Sequence, residues 1–445
     1  MQKKHYLSRR DFVKTSAMLA GGLALTQLPI EASAHVSGAD TIRVGLIGCG
    51  GRGSGAALQA LSTKQNVKLV AMADAFRNRI DDSYKNLTNP DNNEWSGTGK
   101  ITDRIDVPEE RKFVGFDAYE KVLPLVDVVI LATPPGFRPT HFEAAIKAGK
   151  HVFMEKPVAV DAPGVRKVLE AAEMAKQKKL NVVVGLQRHY QSVYREWVKR
   201  LQEGAIGDIH TSHVYWNDEG VWVNERQKNQ TEMEYQMRNW YYFNWLCGDH
   251  INEQHIHNLD VSNWVKGAYP VRAHGMGGRQ VRNGKEFGEI FDHHFVEYEY
   301  ADGSRMFSQC RHIKGCMKRV SESFQGTSGS APQPGLIKTA KGYTQWEHRG
   351  KNDPNPYQVE HDELFDAIEK GEYRFWDAEN GAKSTMTAVM GRMATYSGQL
   401  IEWDKALASD INLMPPKLSW DAMPLVLPDK NGFYPVAIPG VTKAV

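Results

Sequence analysis

The sequence predicts an α/β protein of two domains: an N-terminal, doubly wound parallel sheet and a C-terminal α+β domain built on a large, mostly antiparallel sheet. Three observations predict it. Between residues 42 and 187, short apolar, β-branched runs alternate with helical stretches, the pattern of a parallel sheet covered by helices. A glycine cluster stands where the first run passes into the first helix. From about residue 208 the pattern changes to long two-sided runs such as "DIHTSHVYWN", "PVRAHGMGGRQV" and "FDHHFVEYEYADGSRMFSQCRHI". At 445 residues, 41% hydrophobic and 24% charged, the chain is long enough for both domains.

The first element precedes the fold. "SRRDFVK" at 8–14 is followed by a mildly apolar run and by Ala32-Ser33-Ala34, the order of basic region, apolar region and cleavage site. Residues 1–34 are therefore expected to be an export signal. The paired Arg9 and Arg10, with Ser8, Phe12 and Lys14, resemble the twin-arginine route, which carries folded proteins to the periplasm. An ordinary secretory signal that happens to hold two arginines is the alternative. The leader holds five basic and two acidic residues, so the formal charge of +2 becomes −1 without it. Nothing in that balance invites nucleic acid or an anionic membrane. No later apolar run approaches the roughly 18–20 residues of a membrane span. Four cysteines are too few for a disulfide framework; Cys310 and Cys316 either pair or remain free thiols.

The nucleotide domain is expected over 41–160. Ile42 to Ile47 reads as a strand and Ala56 to Leu61 as helix, with Gly48, Gly50, Gly51, Arg52 and Gly53 between them. Gly48, Gly50 and Gly53 satisfy G-x-G-x-x-G in the strand–turn–helix setting of a Rossmann sheet. The first glycine allows the tight turn, the second lets backbone approach a pyrophosphate, and the third lets helix pack on strand. A second strand ends in Asp74, placed to accept hydrogen bonds from a ribose 2′-hydroxyl. The same carboxylate would repel a 2′-phosphate, which favours NAD over NADP. Arg77 and Arg79 nearby keep NADP open. Residues from about 81 to 112 are polar and broken by Pro and Gly, the pattern of a surface insertion. Further strands are expected within 126–134, 151–157 and 181–187, with helices over about 140–148 and 163–178.

Chemistry is expected where "HVFMEKPVAV" ends. Lys156 falls at the carboxyl end of an apolar strand, beside the place for a nicotinamide, where it can exchange a proton with a substrate hydroxyl. A solvated strand end is the plain alternative. Farther on, a continuous helix would put His250, Glu253 and His257 on one face, a carboxylate beside histidines. A metal site on His250, Glu253, His255 and His257, or purely structural histidines, are the competing readings. The aromatic-rich stretch 235–250, with Arg238, Asn239, Trp240 and Tyr241, is expected either as core or as a platform for a sugar ring. Arg188, His189, Trp216 and Asp218 are weaker candidates for the same cleft. The tail beyond about 400 is Pro-rich, without a clear period, and expected as an extended wrap.

The glycine loop, "ATPPGFRPTHFEAAIKAGKHVFMEKPVAV", "GLQRHYQSVYREWVKRLQEGAIGDI" and "YQVEHDELFDAIEKGE" together resemble the Gfo/Idh/MocA family of sugar and cyclitol oxidoreductases. The resemblance runs through most of the mature chain. It implies that Lys156 contacts the hydroxyl being oxidised, that its bond to Pro157 is cis, and that Thr133, Pro134, His141 and Glu155 border the cofactor. The family's second segment, D-x-G-x-H-x-x-D-x-x-x-W, is met by "EQHIHNLDVSNW". His257, Asp260 and Trp264 fall in register, while Glu253 and His255 stand at the aspartate and glycine positions. The implied protein is an exported NAD-dependent oxidoreductase of a secondary alcohol on a sugar, glycoside or cyclitol, holding its cofactor tightly. Lys156, Glu253 and His257 would be catalytic, Arg188, Arg238, Asn239, Trp240, Tyr241, His250 and His255 would face the substrate, and no metal is needed. The second domain, 161–445, would carry a homo-oligomer interface on its sheet. Two alternatives stand beside it: an NAD-dependent glycosidase like those of family 109, and a sugar-binding protein on a retired scaffold.

Overall fold

The computed structural model describes residues 41–89 and 99–445; the expected leader lies outside the described residues. β1 (Ile42–Ile47), β2 (Val67–Asp74), β3 (Lys112–Val114), β4 (Val128–Leu131), β5 (His151–Met154) and β6 (Val182–Val184) form one sheet in the order β3-β2-β1-β4-β5-β6. All its pairings are parallel. Helices cover both faces, and the inner strands read as unbroken buried runs for that reason: β4 is buried at every position.

The sheet departs from the expected limits in two places. Its sixth strand lies beyond residue 160, so the nucleotide-binding half continues to about 184. The stretch expected as an insertion from 81 begins inside the helix Arg77–Leu87, which packs through Ile80, Ser83 and Leu87. Farther along it returns to the core through buried Ile101 and supplies β3. Polar composition hid this helix because only one side of it is covered.

β7 (Ile209–Asp218), β8 (Arg272–Gly278), β9 (His293–Glu299), β10 (Arg305–His312), β11 (Arg319–Gly326), β12 (Gly329–Gln333), β13 (Leu336–Thr339), β14 (Thr344–Glu347) and β15 (Ile401–Glu402) form the second sheet. Its order is β14-β13-β12-β11-β7-β10-β9-β8-β15, and only β7 and β10 run parallel. β9 alternates buried and half-buried residues, so one face meets the core and the other does not. Helix Ala378–Ser397 lies between this sheet and helix Ala162–Gln177, and is buried on nearly every side. One apolar cluster consequently runs from Val129 and Met154 through Ala382 and Val389 to Val296 and Met306. The tail from 409 has no regular element; Met414, Leu418, Trp420 and Val426 lay its apolar groups on the aromatic stretch around Tyr235–Trp245. All four cysteines are free, and Cys49, Cys247 and Cys310 are buried.

Candidate active site

A cleft of about 530 Å³ opens at the carboxyl ends of β1, β2, β4 and β5 and is closed on its far side by the second domain. The glycine loop forms one end. Gly48 has φ +98°, and a Cβ on Gly53 would stand 1.9 Å from the Gly48 carbonyl oxygen, so turn geometry and close packing demand both glycines. A Cβ on Gly50 or Gly51 would meet nothing within 4 Å. Their bare backbone therefore borders open space at the start of helix Gly51–Leu61, whose first turn holds no acidic side chain. This is the cradle a pyrophosphate requires. Asp74 accepts from Cys49 N–H at 2.7 Å and from Phe76 N–H at 2.9 Å, tying the glycine loop to the loop after β2. Burial pushes its carboxyl above the ordinary value, opposed by these N–H donors and by Arg79. Arg52 bonds Glu155 at 2.5 Å within this half and reaches Glu360, beyond it in the chain, at 3.4 Å.

Lys156 stands at the other end, two residues past β5, with a cis bond to Pro157. Its Nζ donates to the Glu253 carboxylate at 3.0 Å and to the Glu253 carbonyl oxygen at 2.5 Å. The second bond explains a local departure from expectation. In a continuous helix that carbonyl would receive His257 N–H. Here the chain forms two helices, His250–Glu253 and Ile256–Lys266, and His257 N–H turns to the Gln254 carbonyl at 3.4 Å. The break frees one acceptor for the lysine while keeping both Glu253 and His257 on the cleft wall. Burial raises the Glu253 carboxyl above its usual value, and the Lys156 ammonium opposes it. Its Oε2 has no hydrogen-bond partner among the described residues. Burial, with the charges of Lys156 and Arg188, holds His257 well below the ordinary imidazole value, so the ring is neutral. It lies against Trp216, centroids 5.9 Å apart. The arrangement can hold a hydroxyl oxygen against the Lys156 ammonium and take the hydroxyl's own proton on a carboxylate of raised basicity.

The cleft gathers Gly48, Gly50, Gly51, Arg52, Gly53, Asp74, Thr133, Pro134, Glu155, Arg238 and Trp240 with the three residues just described. Seven other expected residues stand elsewhere. Arg77 points outward to Asp81 and Glu109, and it is Arg79 that lines the cleft. His141 lines a small pocket that adjoins the cleft and shares Asp74, Thr133 and Pro134 with it; it bonds Thr133 at 3.2 Å, stacks on Phe137 and meets Tyr119 at a tilt, and burial lowers it to about 3. Arg188 is buried in an ion pair with Glu322, which also accepts from Asn258 and Tyr194. Asn239 is a backbone clasp for residue 224. Tyr241 is buried against His312. His250 bonds Asp249 at 2.8 Å and stacks on His312, and His255 bonds Ser308 at 2.8 Å.

The four residues of the metal alternative do not converge on one another among the described residues. Among the described residues the one converging group is Asp249, His250 and His294, to which Glu253, His255 and His257 do not belong. Of the weaker candidates, Trp216 reaches the cleft, while Asp218 meets Lys318 at the surface. His189 pairs with Asp260 at 2.7 Å and stacks on Trp264, which gives those two residues a structural task. Sequence reasoning missed Arg138, Gln187, Trp222, Gln254 and Tyr357 on the cleft wall. None lies in a periodic pattern pointing inward, so only the "EKP" and glycine motifs carried a local signal.

Residues 42–186 match the model of GFO_IDH_MocA, described as an oxidoreductase family with an NAD-binding Rossmann fold. Residues 42–186 are therefore a Gfo/Idh/MocA oxidoreductase domain, and the rest of the chain is similar to members of that family. Its cofactor is NAD, which the open glycine cradle and Asp74 fit. An inositol 2-dehydrogenase of Serratia proteamaculans is 26% identical to this oxidoreductase over 378 residues, covering 81% of this chain and 96% of that one. A glycosyl hydrolase family 109 protein of Shewanella pealeana is 22% identical over 369 residues, covering 79% and 71%. Among solved structures, the aldose-aldose oxidoreductase of Caulobacter crescentus shares the fold at TM-score 0.62 and 16% identity, over 82% of this chain and all of that one.

Proposed function

We propose that this oxidoreductase moves a hydride between NAD and a secondary alcohol of a sugar, glycoside or cyclitol. The observation that carries the reading is the Lys156–Glu253 contact, set at the sheet's carboxyl edge in the same cleft as the glycine cradle and Asp74. Bound NAD supplies the hydride acceptor or donor. Lys156 has one ammonium proton left after its two bonds to Glu253, and that proton faces a substrate hydroxyl. Glu253, buried and of raised basicity, takes the proton released as the carbinol becomes a ketone. Neutral His257 is placed to accept from the same hydroxyl or to orient it. The names of related proteins, an inositol dehydrogenase and an aldose-aldose oxidoreductase, support a polyhydroxylated ring as substrate.

The reading extends to place and cofactor economy. The leader-like sequence supports export after folding, hence work in the periplasm, where free NAD is scarce. A protein that carries its cofactor out must retain it and must return every hydride it takes. Redox-neutral turnover follows, either between two sugars or within one substrate. The second form would be glycoside cleavage by transient oxidation, and the family 109 relative, aligned over most of both chains, favours keeping it as a second reading. A homo-oligomer through the open face of the second sheet belongs to the same proposal; Met276, on that face, is 73% exposed. The test is a mass spectrum of protein purified without added nucleotide, then incubated with sugars and glycosides. Close to one NAD per chain with a keto-sugar supports the first reading, and a freed aglycone without net redox change supports the second. Nucleotide-free folded protein that releases NADH continuously contradicts retention, and the absence of any product contradicts both.

A further inference from the structure

The loop from 219 to 231 has no regular structure, yet it is pinned at close intervals. Tyr242 hydroxyl donates to the Val221 carbonyl at 3.1 Å. Buried Asn239 accepts from Asn224 N–H at 2.7 Å and donates to the Asn224 carbonyl at 2.9 Å, while the Asn224 amide donates to the Arg238 carbonyl at 2.7 Å. Arg226 closes the far end, bonded to Glu232 and Tyr434 and lying 3.7 Å from the Tyr235 ring centroid. Between the first two of these fastenings stands Trp222. The residue is 45% exposed, it lines the cleft that holds Lys156, and it meets Trp240 edge-on at 6.0 Å. An indole that keeps nearly half its surface in water at a cleft wall, on a loop that three fastenings hold still, is only partly used for burial. It is what a preorganised ligand platform requires, an aromatic face whose ordering cost is met before the ligand arrives.

The geometry points to an outer subsite formed by Trp222 and Trp240 at the mouth of the cleft, which takes a second ring attached to the sugar whose hydroxyl meets Lys156. This rests on the proposed sugar oxidoreductase reading and narrows its substrate class to glycosides. Lys156 and Glu253 lie at the floor, with side chains 12% and 10% exposed, while Trp222 stands at the opening. A single ring held at the lysine leaves the Trp222 face wet; a second ring, a further sugar or an aromatic aglycone, covers it with its apolar side.

The test compares methyl glycosides, nitrophenyl glycosides and the disaccharide cellobiose on the holoprotein, using gluco, galacto and manno pyranosides. The native protein is expected to prefer two-ring compounds over the methyl glycoside of the same sugar by about tenfold in kcat/KM, the size of 1.4 kcal/mol of contact. Trp222→Ala should lose that preference and Trp222→Phe should keep most of it. A preference limited to nitrophenyl glycosides identifies an aromatic aglycone, and one shared by cellobiose identifies any ring; both support the subsite. Equal use of methyl and two-ring compounds overturns it while leaving the oxidoreductase reading intact. So does a Trp222→Ala protein that keeps the preference but loses bound NAD, since the loop would then cover the cofactor. No oxidation or cleavage of any compound overturns the sugar reading and the subsite together.

Discussion

Replacing Lys156 with Met keeps the length of the side chain and removes the ammonium, and two consequences can be worked from the structure. The first is kinetic. A positioned proton-transfer group is worth ~10²–10⁴ in rate, roughly 3–5 kcal/mol of barrier, and the variant should lose turnover by that amount. NAD content should be unchanged, because the glycine loop and Asp74 lie at the other end of the cleft. The second is thermodynamic. Glu253 loses the ammonium that opposes its burial, so its carboxyl moves still further above the unfolded value. Were it to stay ionised, the unpaired charge would cost about 3–5 kcal/mol. Taking up a proton limits the loss. A carboxyl whose folded value is raised contributes its stability fully at acid pH and loses it as pH rises through the folded value. The deficit of Lys156→Met against native protein should therefore be smallest near about pH 5, where the cost of the lost bond to the Glu253 carbonyl remains, and grow toward about pH 8. Steady-state turnover and denaturant unfolding at the two pH values measure both effects. Turnover within about threefold of native would remove Lys156 from proton transfer, since even a weak general acid–base group supplies more than that. A deficit that does not change with pH would refute the charge argument.

Further outcomes follow from the same geometry. His257→Ala should lower turnover by at least about tenfold with no change in metal content by elemental analysis, because among the described residues the ring belongs to no converging ligand group. Asp74→Ala should weaken NAD binding and relax discrimination against NADP, measured by titration with each nucleotide, whereas Arg77→Ala should leave the preference as it is. A loss of preference in Arg77→Ala would place the ribose elsewhere. Gly53→Ala should abolish cofactor retention and cost several kcal/mol of stability, since its Cβ would lie 1.9 Å from a backbone oxygen and cannot be relieved by a side-chain turn; an NAD-replete, stable Gly53→Ala protein would contradict the loop geometry.

What the sequence by itself determined is whatever is local. Strand and helix periods named the parallel sheet and the change to a two-sided sheet near 208, because burial on two faces or on one leaves its mark at every position of a strand. The glycine spacing and Asp74 were legible because they describe one turn and the strand beside it. Lys156 was legible because a strand end places it. Only the tertiary structure decided which polar residues between 185 and 260 reach the cleft. Arg188 was drawn away by Glu322, 134 residues along the chain, and Asn239 by the backbone of Asn224. The helix through Glu253 breaks because Lys156, 97 residues earlier, takes its carbonyl oxygen. Trp222 lies in an aperiodic loop and carried no signal at all. A periodic pattern reports which side of an element is buried; it does not report which distant donor or acceptor a buried polar group finds there, and in this cleft that pairing separates the residues placed for chemistry from those that hold the wall.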